Sequence, residues 1–139
     1  MEETQKSQKT VLVVEDERQL ANAVKEALAV HDFNVVMART AEEGIAQLKN
    51  LKTVDAIWLD HYLMGTSNGL DFVIQIKSDP EWSKIPVFIV SNTASQQNVH
   101  SYIRLGVTNY YTKADYDIGQ IINDLKFTLD KGEHIPVTQ

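Results

Sequence analysis

The sequence contains no cysteine, and this absence removes several kinds of site at once. Without thiols the chain has no disulfide framework, no cysteine-ligated zinc and no cysteine nucleophile. Long hydrophobic runs are also missing: residues 1–10 are polar, and no apolar stretch approaches the length that spans a bilayer. We therefore predict a cytoplasmic protein without a membrane partner.

Positive charge is scarce as well. The 13 Lys and Arg residues are outnumbered by 19 Asp and Glu, which gives a formal net charge of −6. A negative surface repels a phosphate backbone, so we predict no direct binding of nucleic acid. The length of 139 residues and the 43% hydrophobic content are typical of one globular domain. We divide the chain into a polar N-terminal tail (1–9), a domain (10–130) and a short C-terminal tail (131–139).

Short apolar runs alternate five times with segments whose apolar residues recur at helical spacing. The first run, Val11–Val14, stops at three acids and is followed by a helical pattern that ends near His31. The other predicted strands are residues 33–37, 54–59, 87–90 and 107–111, and the last helix is predicted from Asp115 to Leu129. Predicted helix caps are Thr40 with Glu43, Asn68, Ser95 and Gly106.

Strands that are apolar at every position and are joined by helices indicate a parallel sheet that is covered on both faces. Right-handed crossovers leave few possible strand orders for five such units. We predict an α/β fold with a five-stranded parallel sheet in the flavodoxin-like order 2-1-3-4-5 and helices on both faces. Functional residues should lie at the carboxyl ends of strands 1 and 3, where the order reverses.

Five polar side chains follow the predicted strands where each strand ends: Glu15, Asp16, Asp60, Ser91 and Lys113. Three carboxylates at one edge raise one another's pKa unless a cation neutralises them. Since every ligand there is an oxygen, a hard cation fits, and we predict a Mg²⁺ site formed by Glu15, Asp16 and Asp60.

The same edge carries the groups that phosphoryl transfer requires. An exposed Asp60 carboxylate can attack a phosphoryl donor and form an acyl phosphate. The Lys113 ammonium can pair with one phosphoryl oxygen, and the Ser91 hydroxyl can donate to another. We therefore predict Asp60, Lys113 and Ser91 as the catalytic set.

Four segments together resemble the response-regulator receiver domain of two-component phosphorelays, the CheY-like superfamily, over about residues 10–130. These segments are Val-Val-Glu15-Asp16-Glu17, Trp58-Leu59-Asp60, Ile89-Val90-Ser91 and Tyr110-Tyr111-Thr112-Lys113. The resemblance implies that Asp60 receives a phosphoryl group from a histidine kinase or a histidine phosphotransfer protein. It also implies a Mg²⁺ ligand at the backbone carbonyl of Tyr62, and a switch in which Ser91 and Tyr110 move together.

A signalling surface formed by helix 4, strand 5 and helix 5 is a further implication, either for a downstream protein target or for a homodimer. The family catalyses phosphorylation and dephosphorylation of its own aspartate and is not a turnover enzyme. Because the sequence ends soon after the last predicted helix, we expect no DNA-binding or enzymatic output domain and an output through protein contacts.

Several positions depart from the family pattern. Met64 replaces a typical proline, Gly69 comes one residue late, and Asn92 stands where a small residue is usual. Ala114 replaces the proline after the lysine, so we expect a trans peptide bond, because a cis bond without proline costs about 2.5 to 4 kcal/mol. These departures leave open a pseudo-receiver, an interaction module that works without phosphorylation.

A turnover phosphatase with an aspartate nucleophile is disfavoured, because Tyr62 stands where that class has its acidic residue. Each candidate also has a plain structural interpretation when taken alone, such as a helix start for the acids or a packed strand residue for Tyr110. We interpret the four histidines as surface residues; His61 directly follows Asp60 and is the one that could border the pocket, although an ordinary loop position is favoured for it. The remaining three are His31, His100 and His134.

Overall fold

The computed structural model describes residues 8–63, 65, 67–92 and 95–131. In this part of the chain five strands alternate with five α-helices, as predicted. In chain order the elements are β1 (Thr10–Val14), α1 (Arg18–Val30), β2 (Asn34–Ala38), α2 (Ala41–Asn50), β3 (Ala56–Leu59), α3 (Gly69–Lys77), β4 (Val87–Ser91), α4 (Gln96–Leu105), β5 (Asn109–Thr112) and α5 (Ile118–Lys131). A short 3₁₀ turn at Trp82–Lys84, which the sequence pattern did not predict, connects α3 to β4.

The strands form one parallel sheet in the order β2-β1-β3-β4-β5, which confirms the predicted topology. β1 lies between β2 and β3, and Val14 is in register with Ala38 on one side and with Leu59 on the other. The residues that follow β1 and β3 therefore emerge side by side at the carboxyl edge of the sheet. This is the point where the strand order reverses and where ligands bind in such sheets.

Alternate residues of each strand belong to two separate hydrophobic layers. Leu12, Ile57 and Ile89 pack with α2, α3 and α4 on one face. Val13 and Trp58 pack with α1 and α5 on the other face. Because side chains alternate with a period of two, slipping a strand by one residue would exchange the two layers. The register is thereby fixed, and the functional edge is fixed with it.

The two tryptophans lie at opposite ends of the sheet. Trp58 is 1% exposed and stands two residues before Asp60, close to the carboxyl edge. Trp82 is half-buried and lines a surface cavity with Val54 and Ile85, the residues that lead into β3 and β4 at their amino ends.

Three predicted caps are confirmed. Asn68 accepts a hydrogen bond from the Asp71 amide, and Ser95 accepts one from the Asn98 amide. Gly106 ends α4 with a φ of 90°, which favours glycine. The capping box predicted at Thr40 is wrong in one half: Thr40 accepts from the Glu43 amide, but the Glu43 carboxylate accepts from the Arg39 amide instead (2.7 Å).

The last helix starts later than predicted, at Ile118 instead of Asp115. The Asp117 carboxylate accepts a hydrogen bond from the Gln120 amide (2.8 Å), and the Gln120 side chain accepts one from the Asp117 amide (2.9 Å). This reciprocal pair satisfies two backbone groups at the helix start and so sets its boundary. No helix within the described ranges is long and apolar enough to cross a bilayer.

Candidate functional site

The three predicted acids lie together at the carboxyl edge of the sheet. The Asp60 amide donates to the Val14 carbonyl (3.0 Å) and the Glu15 amide donates to the Ala38 carbonyl (3.0 Å), so the ladder continues into both residues. One carboxylate oxygen from each of Glu15, Asp16 and Asp60 lies within 4.8 Å of the other two. Asp16 is half-buried, whereas Glu15 and Asp60 are buried at 1% and 4% exposure, so the expectation of an exposed Asp60 is wrong.

Lys113 reaches the same cluster from the end of β5. Its Nζ lies 3.3 Å from Glu15 Oε1 and 3.6 Å from Asp60 Oδ2. The Lys113 amide donates to the Ser91 carbonyl (2.8 Å), which fixes the backbone of the lysine against the end of β4. Four of the sequence-predicted residues are therefore brought into one ionic cluster by three different strands.

The cluster carries more negative charge than the lysine can balance. Burial, and after it the neighbouring Asp60 charge, raises the pKa of Glu15 to about 7 against the opposing effect of Lys113. Burial also raises the pKa of Asp60, and the Lys113 ammonium acts in the opposite direction. A divalent cation would remove this excess charge, and the ligands on offer are all oxygens. The residues present therefore fit a hard metal ion.

The two predicted switch residues, Ser91 and Tyr110, lie on the neighbouring strands β4 and β5. Ser91 is fully buried at the end of β4, two residues beyond the Ile89 that pairs with Leu59. Tyr110 is 8% exposed, and its ring centroid lies 5.8 Å from that of Tyr102 on α4, at an interplanar angle of 49°. Tyr110 is therefore a core residue of the α4 side of the sheet.

The loop after Asp60 begins with a backbone contact to the acceptor itself. The Tyr62 amide donates to Asp60 Oδ1 (3.4 Å), while the Tyr62 side chain is 51% exposed. Its carbonyl as a metal ligand stays a prediction.

Among the positions that depart from the family pattern, Asn92 is exposed, and Met64 falls outside the described residues. The peptide bond between Lys113 and Ala114 is trans, as expected, and so is every other peptide bond in the described part of the chain.

His61 was predicted as a surface loop residue, and this prediction is wrong. The side chain is 5% exposed, and its Nδ1 lies 2.6 Å from the hydroxyl of the fully buried Tyr102. Its Nε2 lies 3.4 Å from Nδ2 of Asn98. The partner comes from 41 residues further along the chain, on the buried face of α4, so no local pattern could reveal it. Burial lowers the pKa of His61.

Of the other histidines, His100 is exposed, as predicted, and His31 is half-buried. His134 lies outside the described residues.

Comparison with known proteins places the chain among signalling domains. The family model for the response regulator receiver domain matches residues 11–126. Transcriptional regulatory protein CpxR of Klebsiella pneumoniae is 29% identical over 74% of this chain and 42% of its own length. Chemotaxis protein CheY1 of Helicobacter pylori is 26% identical over 74% of this chain and 83% of its own length.

Among solved structures, the phosphorylated cyanobacterial phytochrome response regulator RcpA superimposes with a TM-score of 0.79 at 27% identity. The superposition covers 94% of this chain and 99% of RcpA. CpxR is more than twice as long as the segment that matches here, so the likeness to it concerns one part of that regulator.

Proposed function

This chain belongs to the response regulator receiver domain family, and we propose that it receives a phosphoryl group on Asp60 within a cytoplasmic two-component pathway. Receiver domains are regulatory modules rather than turnover enzymes. The observation that carries the proposal is the position of Asp60, whose carboxylate lies 3.6 Å from Lys113 Nζ and clusters with two further carboxylates. A phosphorylated histidine of a kinase or of a phosphotransfer protein is the proposed donor.

In the proposed transfer an Asp60 carboxylate oxygen attacks phosphorus while the bond from phosphorus to the donor imidazole nitrogen breaks. The bonding electron pair stays on that nitrogen, and the product is an aspartyl phosphate. Lys113 pairs with a phosphoryl oxygen and favours the ionised form of Asp60 beforehand, because its ammonium already lies within 3.6 Å of that carboxylate. The Ser91 hydroxyl donates to a second phosphoryl oxygen.

Glu15, Asp16, Asp60 and the backbone carbonyl of Tyr62 are the proposed ligands of Mg²⁺. When bound, Mg²⁺ neutralises charge on the phosphoryl oxygens. The raised pKa of Glu15, about 7, is consistent with this assignment, because it reflects burial and the neighbouring Asp60 charge, which a bound cation would compensate in place of a proton.

The proposed output is a protein contact through α4, β5 and α5, with a downstream target or with a second copy of the chain. Both helices carry an exposed apolar side chain: Ile103 on α4 is 39% exposed and Phe127 on α5 is 45% exposed. Switching would involve Ser91 at the end of β4 and Tyr110 on β5, the strand that forms part of this surface.

Intact-mass spectrometry after incubation with a small phosphodonor tests the proposal. We expect one added phosphoryl group in the presence of Mg²⁺, none after chelation, and none in Asp60→Asn. Asp130→Asn makes the same chemical change at an exposed position on α5 and should be phosphorylated like the wild type. Absence of an adduct in the wild type with a rapid quench would contradict the proposal and favour the pseudo-receiver.

A further inference from the structure

We propose that the hydrogen bond between His61 and Tyr102 is the positioning contact through which phosphorylation of Asp60 moves α4. This inference rests on the proposed function and adds a second connection beside Ser91 and Tyr110. Neither residue touches the reacting atoms, so both act through their effect on the position of the helix.

The contact joins the residue that follows the acceptor to the helix. His61 is the residue after Asp60, so a displacement of the acceptor backbone displaces the imidazole as well. The 2.6 Å bond to the Tyr102 hydroxyl lies in the interior, with the two residues 5% and 0% exposed. A hydrogen bond away from water is strong, and breaking it leaves a buried polar group without a partner. The two side chains are therefore expected to move together.

A second contact lies one helical turn earlier on α4. Asn98 Nδ2 is 3.4 Å from His61 Nε2. Asn98 and Tyr102 are four residues apart and so share one face of the helix. The two ring nitrogens of His61 therefore contact two successive turns of α4, and two contacts fix the orientation of the helix as well as its distance from His61. A shift of His61 should therefore translate or tilt the helix.

Gly69 leaves the space that this contact needs. A Cβ atom at Gly69 would collide with the Tyr102 hydroxyl and would stand 3.0 Å from the Asp60 carbonyl oxygen and from His61 Cα. The Gly69 amide donates to the His61 carbonyl (2.9 Å), so the start of α3 is fixed to the same residue. Gly69, which comes one residue later than in the family pattern, thus lies where the Tyr102 side chain reaches between α3 and the acceptor loop.

Tyr102 also extends the connection towards β5. Its ring lies against Tyr110 with centroids 5.8 Å apart. Tyr110 is the proposed switch residue, so Tyr102 contacts both the segment that follows the acceptor and the aromatic side chain that is proposed to respond to it. Removing only the Tyr102 hydroxyl keeps the ring contact and deletes the bond to His61.

Hydrogen exchange of the α4 amides, measured before and after phosphorylation with Mg²⁺ and a small phosphodonor, tests this role. We expect phosphorylation to change exchange in α4 of the wild type. In Tyr102→Phe, we expect the protein to be phosphorylated but to lose at least half of that change. Tyr111→Phe is the matched control, because it removes the hydroxyl of another buried tyrosine, bonded to Asp124 (2.7 Å) on the opposite layer. That control should keep the wild-type response in α4.

His61→Phe removes the same bond from the other side, and we expect the same loss of response per phosphorylated molecule. If the Tyr102→Phe variant does not fold, His61→Phe serves as the test in its place. A wild-type change in α4 in either phosphorylated variant would overturn the inference, as would a phosphorylated wild type whose α4 does not respond. A wild type that takes up no phosphoryl group overturns the proposed function as well, and the mass measurement distinguishes this case.

Discussion

Glu15 is buried beside Asp60 and Lys113, so its protonation state depends on the charge around it. Burial is the main cause of its raised pKa, about 7, and the Asp60 carboxylate adds to it. The protonated form is therefore favoured in the folded protein relative to the unfolded chain, where the pKa is 4.5.

This shift predicts how stability depends on pH in the absence of Mg²⁺. The contribution of Glu15 is fully present below pH 4.5 and is lost as the pH rises through about 7. The loss should be on the order of 3 kcal/mol of unfolding free energy. Urea titrations in a chelating buffer should show it in the wild type and not in Glu15→Gln, which stays neutral.

Glu26→Gln on the exposed face of α1 serves as the control and should follow the wild type at every pH. If the free energy of unfolding changed with pH in the same way in the wild type and in Glu15→Gln, the raised pKa of Glu15 would be contradicted.

Among the individual residues of the site, the acids and Lys113 could be predicted from the sequence. Each follows an apolar run, and the carboxyl ends of parallel strands converge at one edge of the sheet. His61 could not be interpreted in the same way. Its buried partner, Tyr102, lies 41 residues further along the chain, and the space for the Tyr102 hydroxyl depends on the absence of a side chain at Gly69. Such a contact between distant segments has no periodicity and leaves no local pattern.

At the scale of the secondary-structure elements, α3 and α4 come into close contact at the start of α3. Gly69 is the first residue of α3, and the Tyr102 hydroxyl of α4 occupies the position where a side chain would stand. The missing Cβ therefore permits this close approach of the Tyr102 hydroxyl to α3 and to the acceptor loop.

Gly69→Ala should consequently destabilise the fold by about 1 to 3 kcal/mol, because Tyr102 or the backbone at residues 60 and 61 must shift. Gly119→Ala is the matched substitution, in the first turn of α5. There the nearest atom to the new Cβ is 3.5 Å away, an ordinary contact, so stability should be unchanged or rise by up to about 1 kcal/mol. Chemical denaturation measures both, and equal effects would contradict the close approach at Gly69.

Element positions were predictable to within a few residues, and the errors have local causes. Helical periodicity located all five helices, but α5 begins three residues late because Asp117 and Gln120 satisfy each other's amides. The 3₁₀ turn at Trp82–Lys84 was missed, since a three-residue turn is too short to show a period.

At the scale of the whole molecule, the proposed Mg²⁺ site at the acidic edge would link metal binding to the stability of the fold. The three carboxylates directly follow β1 and β3, two interior strands of the sheet, so repulsion among them acts on the core of the fold. The strand order itself was predictable, because five apolar runs joined by helices allow few right-handed arrangements.

Mg²⁺ should therefore raise the free energy of unfolding, by about 2.7 kcal/mol when its free concentration is about 100 times its dissociation constant. Asp16→Asn should lose most of this gain, since it removes a proposed ligand and keeps the shape of the side chain. Thermal unfolding with increasing Mg²⁺ measures both, with Asp130→Asn as the charge-matched control. A metal-dependent gain of equal size in Asp16→Asn would speak against the proposed ligand set.

The placement of the two tryptophans gives this protein two built-in fluorophores at opposite ends of its sheet. Trp58, buried two residues before Asp60, should emit at short wavelength and respond to events at the acidic edge. Trp82, half-exposed at the amino ends of the strands, should emit at longer wavelength and stay unchanged by those events. Their spectra can therefore be separated by colour, so that a local event at the site is distinguished optically from loss of the fold.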